Sequence, residues 1–465
     1  MTHPSLPPKP HPQLFRSGFL SAWFQTPPGT SSEMFTHKPS RASLTAARWH
    51  IEYAKKHGIQ TIELAGAHTK RTANVNPEKL ADPVAAHCDM ETTSDGEGTD
   101  MSDDFIKRLK DAADGKVTIG TLGTFENALH LDLGARRQNI MHFRRAIRAV
   151  ARMKALGLGT EGVTIFVGRD VTKSVAENLR LFAKVLIPIA LYAKSLGVKI
   201  FIENCPMCGW SETHEVFIQN IANNVEHWIV MARTIEEAGL KGWVFINYDA
   251  SHDILQFTRP EWVFQILKRA GYAWIIGRFH GKDLSRMSGY TAAATSLGSR
   301  IRGPWEKMSG DQPLPGATHH NPLAIANGQQ VDWFGFCVHA ITSLGCASDP
   351  NNLMTFTTEC EHGALRYWKN FLVPGTTDKW DQERHAEVAG AVLASSIQYI
   401  QHQGCAALQH TYMRDVLAQV PGSIWSYQPL DPNNLELLPG VDDCISRAKE
   451  FEIGPINMTE EVVIE

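Results

Sequence analysis

The chain has no run of about 18 apolar residues, the length a helix needs to cross a bilayer, so no membrane partner is expected. It also lacks a basic stripe. Its 45 Lys and Arg face 49 Asp and Glu, giving a net charge of −4 with 20 His counted as neutral. Counterion release from a nucleic acid needs clustered cations, so no nucleic-acid partner is expected. The first residues, MTHPSLPPKPHPQLF, carry prolines where a secretory signal needs an apolar stretch, which points to a cytoplasmic protein. Cysteine is sparse: the eight thiols at 88, 205, 208, 337, 346, 360, 405 and 444 are too scattered for the disulfide framework of a small secreted domain. Cys205 and Cys208 form a lone CxxC, with no second pair at zinc spacing, and are read as reduced thiols. No GxGxxG turn follows an early strand, which weakens the case for an open dinucleotide-binding sheet.

What is present is the material of a large soluble core. Of the 465 residues, 43% are hydrophobic and 20% charged. Short β-branched or aromatic runs alternate with helical stretches. Strands are expected at 15–24, 60–64, 116–122, 162–167, 198–203, 243–249, 273–280 and 353–359. Helices are expected at 43–56, 101–113, 136–156, 173–195, 216–238, 261–270 and 331–344. Glycines after Leu156, Leu196 and Ala238 supply left-handed helix caps for short return loops. Eight strands in such order predict a closed (β/α)8 TIM barrel over 15–374, preceded by a tail at 1–14.

Two long βα-loop insertions, 68–100 and 287–330, should rise over the C-terminal mouth of the barrel, as lid or specificity loops. Residues 375–465 form a C-terminal extension, expected to pack on the barrel or on a neighbouring subunit. It begins with a helix at 382–403 and continues as an irregular, proline-containing segment.

Four strand ends carry metal-competent side chains: Glu203, Asp249, His280 and Glu359. In a barrel those ends converge on one mouth. A single acid at a strand end is more often a loop cap, and a single His a packing residue. Four in succession ask for another account. Three crowded carboxylates repel one another unless a cation holds them ionised. Three oxygen ligands and one imidazole suit one divalent ion, Mn²⁺ first, with Mg²⁺ or Co²⁺ as alternatives.

The segments GRD (168–170), FIENCPM (201–207), NYDASH (247–252), FHGKD (279–283), QVDW (330–333) and TTECEHG (357–363) together resemble the xylose-isomerase-like TIM barrel superfamily of sugar isomerases and epimerases, which includes AP endonucleases of family 2. The likeness spans roughly residues 15–373. It implies that Glu203, Asp249, His280 and Glu359 hold the metal. It further implies that His252 hydrogen-bonds a substrate oxygen and that Arg286 matches the arginine of an HxxExxR pattern, with Asp283 replacing the glutamate. Another departure is TECEH at strand eight, where the family has IEHED.

The chemistry implied is proton transfer next to a carbonyl through an enediolate, with Glu203 and Glu359 removing and returning the proton. The substrate would be a small sugar or keto-sugar, with Trp23, Phe24 and Trp210 as an apolar wall. His319 and His320 are read as exposed loop residues. Relatives imply a homo-oligomer. A lyase, dehydratase or C-glycoside-cleaving enzyme on the same metal site is the alternative function. An AP endonuclease is disfavoured by the charge balance, and a non-catalytic sugar-binding barrel by the intact ligand set.

Overall fold

The computed structural model describes residues 13–20, 48, 50–65, 103–207, 218–256, 258–281, 283–284, 320–321, 331–346, 353–358, 382–417 and 440–454. Eight parallel strands close into a barrel: β1 (Arg16–Leu20), β2 (Thr61–Ala65), β3 (Thr118–Thr124), β4 (Gly162–Ile165), β5 (Lys199–Glu203), β6 (Val244–Asp249), β7 (Ile276–Gly281) and, eighth around the ring, β10 (Thr355–Thr358). Each pairs with its sequence neighbours, and β1 closes the ring against β10. The (β/α)8 expectation is met.

Side-chain alternation explains both faces of this wall. On β6 and β7, Tyr248 and Phe279 point outward into an aromatic cluster with Phe264, Phe336 and Phe356. The Phe279–Phe336 ring centroids lie 5.1 Å apart, edge to face. Their neighbours Asp249, Arg278 and His280 therefore point into the barrel, where all three are fully buried. Lower down, Phe201 stacks on Phe245 at 5.6 Å and Arg278 lies over the Phe201 ring.

Two β-bulges re-aim side chains toward the mouth. The register steps from Ile62↔Ile119 to Glu63↔Thr121, and from Ile246↔Ile276 to Asn247↔Arg278. The extra residues are Gly120 and Gly277. A Cβ on Gly120 would lie 2.6 Å from the Thr61 hydroxyl, and one on Gly277 2.5 Å from the Phe245 ring. Only glycine fits either bulge without displacing a neighbour.

The outer layer comprises α1 (Asp103–Ala113), α2 (Leu133–Ala155), α3 (Val175–Ser195), α4 (Val225–Glu237), α5 (Ala250–Leu255), α6 (Pro260–Ala270) and α7 (Trp333–Leu344), with a further helical stretch at 50–56. Gly157, Gly197 and Gly239 adopt φ of +82°, +69° and +67°, the left-handed turns expected after Leu156, Leu196 and Ala238. α3 starts with a reciprocal cap, Ser174 to the Glu177 amide and Glu177 back to the Ser174 amide.

Four expectations need correction. The helix expected over 216–238 starts only at Val225. The preceding Asn220, Asn223 and Asn224 favour turns, and the Asn224 side chain caps α4 by accepting from the His227 amide. α5, directly after β6, was not anticipated. The start of the seventh expected strand, Ala273–Ile275, is a 3-10 turn. In the extension, the first helix runs on from Gln382 to Leu417 as α8, because no proline intervenes before Pro421, and a second, α9 (Val441–Glu450), follows. α8 lies against β1, where the Gln401 amide donates to the Ser17 hydroxyl at 2.8 Å. α9 buries Val441, Cys444, Ile445 and Ala448 against α4 and α6.

The 68–100 insertion lies outside the described residues. Of 287–330, the short strand β9 (His320–Asn321) is described; it pairs antiparallel with β8 (Asp283–Leu284). No described helix is long and apolar enough to cross a membrane.

Candidate active site

β5 and β6 bring Glu203 and Asp249 to the same end of the barrel, and β7 brings His280 beside them, in register with Asp249. Their relative exposures are 3%, 0% and 0%, so any charge here is desolvated. The strand ends are clamped by asparagines. Asn204 accepts from the Asp249 amide at 2.8 Å and donates to its carbonyl at 3.0 Å. Asn220 donates to the carbonyls of Glu203 and Cys205 and accepts from the Gly168 amide.

Asp249 also caps α5, accepting from the Ser251 amide at 2.8 Å. One helical turn later stands His252, fully buried, with Nε2 3.5 Å from Asp249 Oδ2 and 3.3 Å from Glu203 Oε1. The other Glu203 oxygen lies 3.2 Å from His280 Nδ1. One carboxylate thus faces two imidazoles, and one of those imidazoles faces the second carboxylate.

The structure adds residues that sequence reasoning did not single out. Glu63, inward on β2, places Oε2 2.8 Å from His280 Nε2 and 3.0 Å from the Arg278 guanidinium. Arg278 also donates to the Thr357 hydroxyl at 2.7 Å. Burial alone would raise the Glu63 carboxyl, but His280 and Arg278 outweigh it and hold the group below the usual carboxylate range. Cys205, read from the sequence as half of a lone CxxC, has its thiol beside Glu203 and His252. One ligand atom from each of the three lies within 4.8 Å of the others. The signal for Glu63 and Arg278 was present: each is a charge inside an apolar strand, TIEL and IIGRFH.

The donor set suits a divalent cation. Among the described residues, three carboxyl groups (Glu63, Glu203 and Asp249) and two imidazoles (His252 and His280) meet here, with Arg278 paired to Glu63. Carboxyl oxygens and imidazole nitrogens gathered in a buried space are donors that a divalent cation can use. Burial pushes the Asp253 carboxyl up to about 8, with the Asp249 charge adding to the rise and the neighbouring Tyr248 hydroxyl opposing it.

The GRD segment serves the scaffold. Asp170 is buried; its carboxylate accepts from the Thr172 amide and hydroxyl, its backbone amide donates to the Asn178 side chain, and it pairs with Arg136 and Lys173 at 3.3 and 3.1 Å. Glu359, Arg286, Trp23, Phe24, Trp210 and His319 lie outside the described residues, as does Cys208.

Solved structures to which the chain is similar include an L-ribulose 3-epimerase, at 13% identity and a TM-score of 0.47, covering 86% of this chain and 97% of that one. A xylose isomerase-like TIM barrel protein from Mycobacterium smegmatis in complex with magnesium is similar at 13% identity and 0.46, covering 86% and 100%. A probable 3-DHS dehydratase from Bacillus anthracis is similar at 13% and 0.42, covering 77% and 100%. No curated protein sequence matches the chain. The closed parallel barrel, its acids and imidazoles gathered at one mouth, and the match of residues 51–333 to the family model together place this chain in the xylose isomerase-like TIM barrel family.

Proposed function

We propose that the chain is a divalent-metal-dependent sugar isomerase or epimerase that moves a proton next to a carbonyl. The observation that supports this most is the buried convergence of Glu203, Asp249, His280 and His252 at the C-terminal mouth. Glu203, Asp249, His280 and Glu359 would hold the ion, Mn²⁺ first. When bound, the ion supplies the positive charge that stabilises an enediolate.

The protein's own groups do the rest. Glu203 is positioned by the Asn220 clamp on its backbone and faces His252, so it can take a proton from a sugar carbon held at the mouth. Glu359 is proposed as the second proton carrier. His252 sits within a hydrogen bond of Glu203 and can steady a substrate oxygen there. Arg286, Trp23 and Trp210 are proposed to hold the remaining oxygens and the carbon face of a small sugar or keto-sugar. The burial of the described cluster keeps bulk water from protonating the carbanionic intermediate.

Asp249→Asn and Glu359→Gln are expected to lower both metal content and turnover by at least tenfold, read by elemental analysis and steady-state kinetics. Full metal occupancy and normal turnover in either variant would remove that residue from the site. Products from a ketohexose and from a 3-keto-glycoside decide between epimerisation and elimination.

A further inference from the structure

We propose that Glu63 is a positioning residue that fixes His280 in one tautomer, with the proton on Nε2, leaving Nδ1 as the nitrogen offered to the metal. This deepens the metal-dependent reading above and rests on it. The geometry is a buried chain: Arg278 Nη2 donates to the Thr357 hydroxyl and pairs with Glu63 Oε2, that oxygen lies 2.8 Å from His280 Nε2, and His280 Nδ1 faces Glu203. Every side chain in it except Glu203, at 3%, has a relative exposure of zero.

The physical argument concerns which ring nitrogen carries the proton. A neutral imidazole has one donor and one acceptor nitrogen, and a carboxylate can only accept. Nε2 lies 2.8 Å from Glu63 Oε2, a normal charge-assisted hydrogen-bond length. Nδ1, by contrast, stands 3.2 Å from Glu203 Oε2, and the shorter contact marks Nε2 as the donor. The proton therefore stays on Nε2, and the Nδ1 lone pair points to the mouth. A metal-ligating histidine gains basicity and a fixed ring angle from such a partner. The bulge at Asn247/Arg278 gives the arrangement a structural basis, because it aims Arg278 and His280 inward together.

Glu63 lies at strand position three of β2, with Leu64 and Ala65 still between it and the described strand end. It contacts the face of His280 opposite Glu203, so it acts through His280 and not on substrate.

The test has two arms. Long-range proton–nitrogen correlation spectra of the metal-free protein, with the His280 signal identified by its loss in His280→Gln, should report the Nε2–H tautomer. An Nδ1–H tautomer there, or an imidazolium protonated on both ring nitrogens, would overturn the proposal. In the second arm, Mn²⁺ is titrated calorimetrically into wild-type, Glu63→Gln and Glu63→Asp proteins, with melting curves checked alongside. Glu63→Gln is expected to bind Mn²⁺ roughly 10- to 100-fold more weakly, with Glu63→Asp recovering part of the loss. Equal affinity in a folded Glu63→Gln protein would also overturn it. Failure of the wild-type protein to bind any of Mn²⁺, Mg²⁺ or Co²⁺ would instead sink the metal-dependent reading, while the tautomer arm would still be read in the metal-free protein.

Discussion

At the scale of single residues, the site is a problem of desolvated charge. Three carboxylates share a buried space with one guanidinium, and the imidazoles separate them. Removing the guanidinium alone should be severe. In metal-free protein, Arg278→Met is expected to cost about 3–5 kcal/mol because Glu63 is left buried without its cation. The double variant Glu63→Gln/Arg278→Met should recover much of that loss, as read from denaturant midpoints; strict additivity would mean the pair is not coupled. His252 presents the opposite case. His252→Ala is expected to keep the metal and lose turnover. A metal-free variant would move His252 into the ligand set together with Glu203 and Cys205, the three-residue cluster its side chain already joins.

Secondary-structure elements deliver these residues by close packing inside the barrel. β4 begins with Gly162, where a Cβ would lie 2.1 Å from the Lys199 carbonyl oxygen and 3.0 Å from the Phe201 ring. Backbone cannot yield as a side-chain tip can, so Gly162→Ala is expected to cost roughly 3 kcal/mol or more. It should also disturb β5, which carries Glu203 only four residues beyond Lys199. A thermal midpoint within a degree of wild type would refute this. The strands and most helices were legible in the sequence, since each is a strong apolar run with a clear terminator. α5 was not. It is six residues long, too short for periodicity, and exists because Asp249 caps it.

At the scale of the whole molecule, the extension is held to the barrel by apolar contact more than by its ion pairs. Ile445 is buried under α9, whereas the exposed Arg447 reaches a half-buried partner, Glu226. Ile445→Ala is expected to destabilise the protein by roughly 2 kcal/mol or more. Arg447→Ala should leave the unfolding midpoint nearly unchanged, because solvent screens that pair. Comparable losses from both would show that charge holds α9 in place. Arg233 adds a different tie, donating to the backbone carbonyls of Lys449 and Phe451 at the end of α9.

The sequence by itself determined the eightfold alternation and named Glu203, Asp249, His280 and His252, because strand ends, glycine caps and short motifs are local patterns. Tertiary structure alone decided that Glu63 and Arg278 stand behind His280, and that Cys205 joins Glu203 and His252. The reason is distance along the chain: His280 and Glu63 are 217 positions apart, and nothing local to either strand says which strand faces it across the barrel. Closure of the ring and two bulges set that meeting, and the charge of the site follows from it.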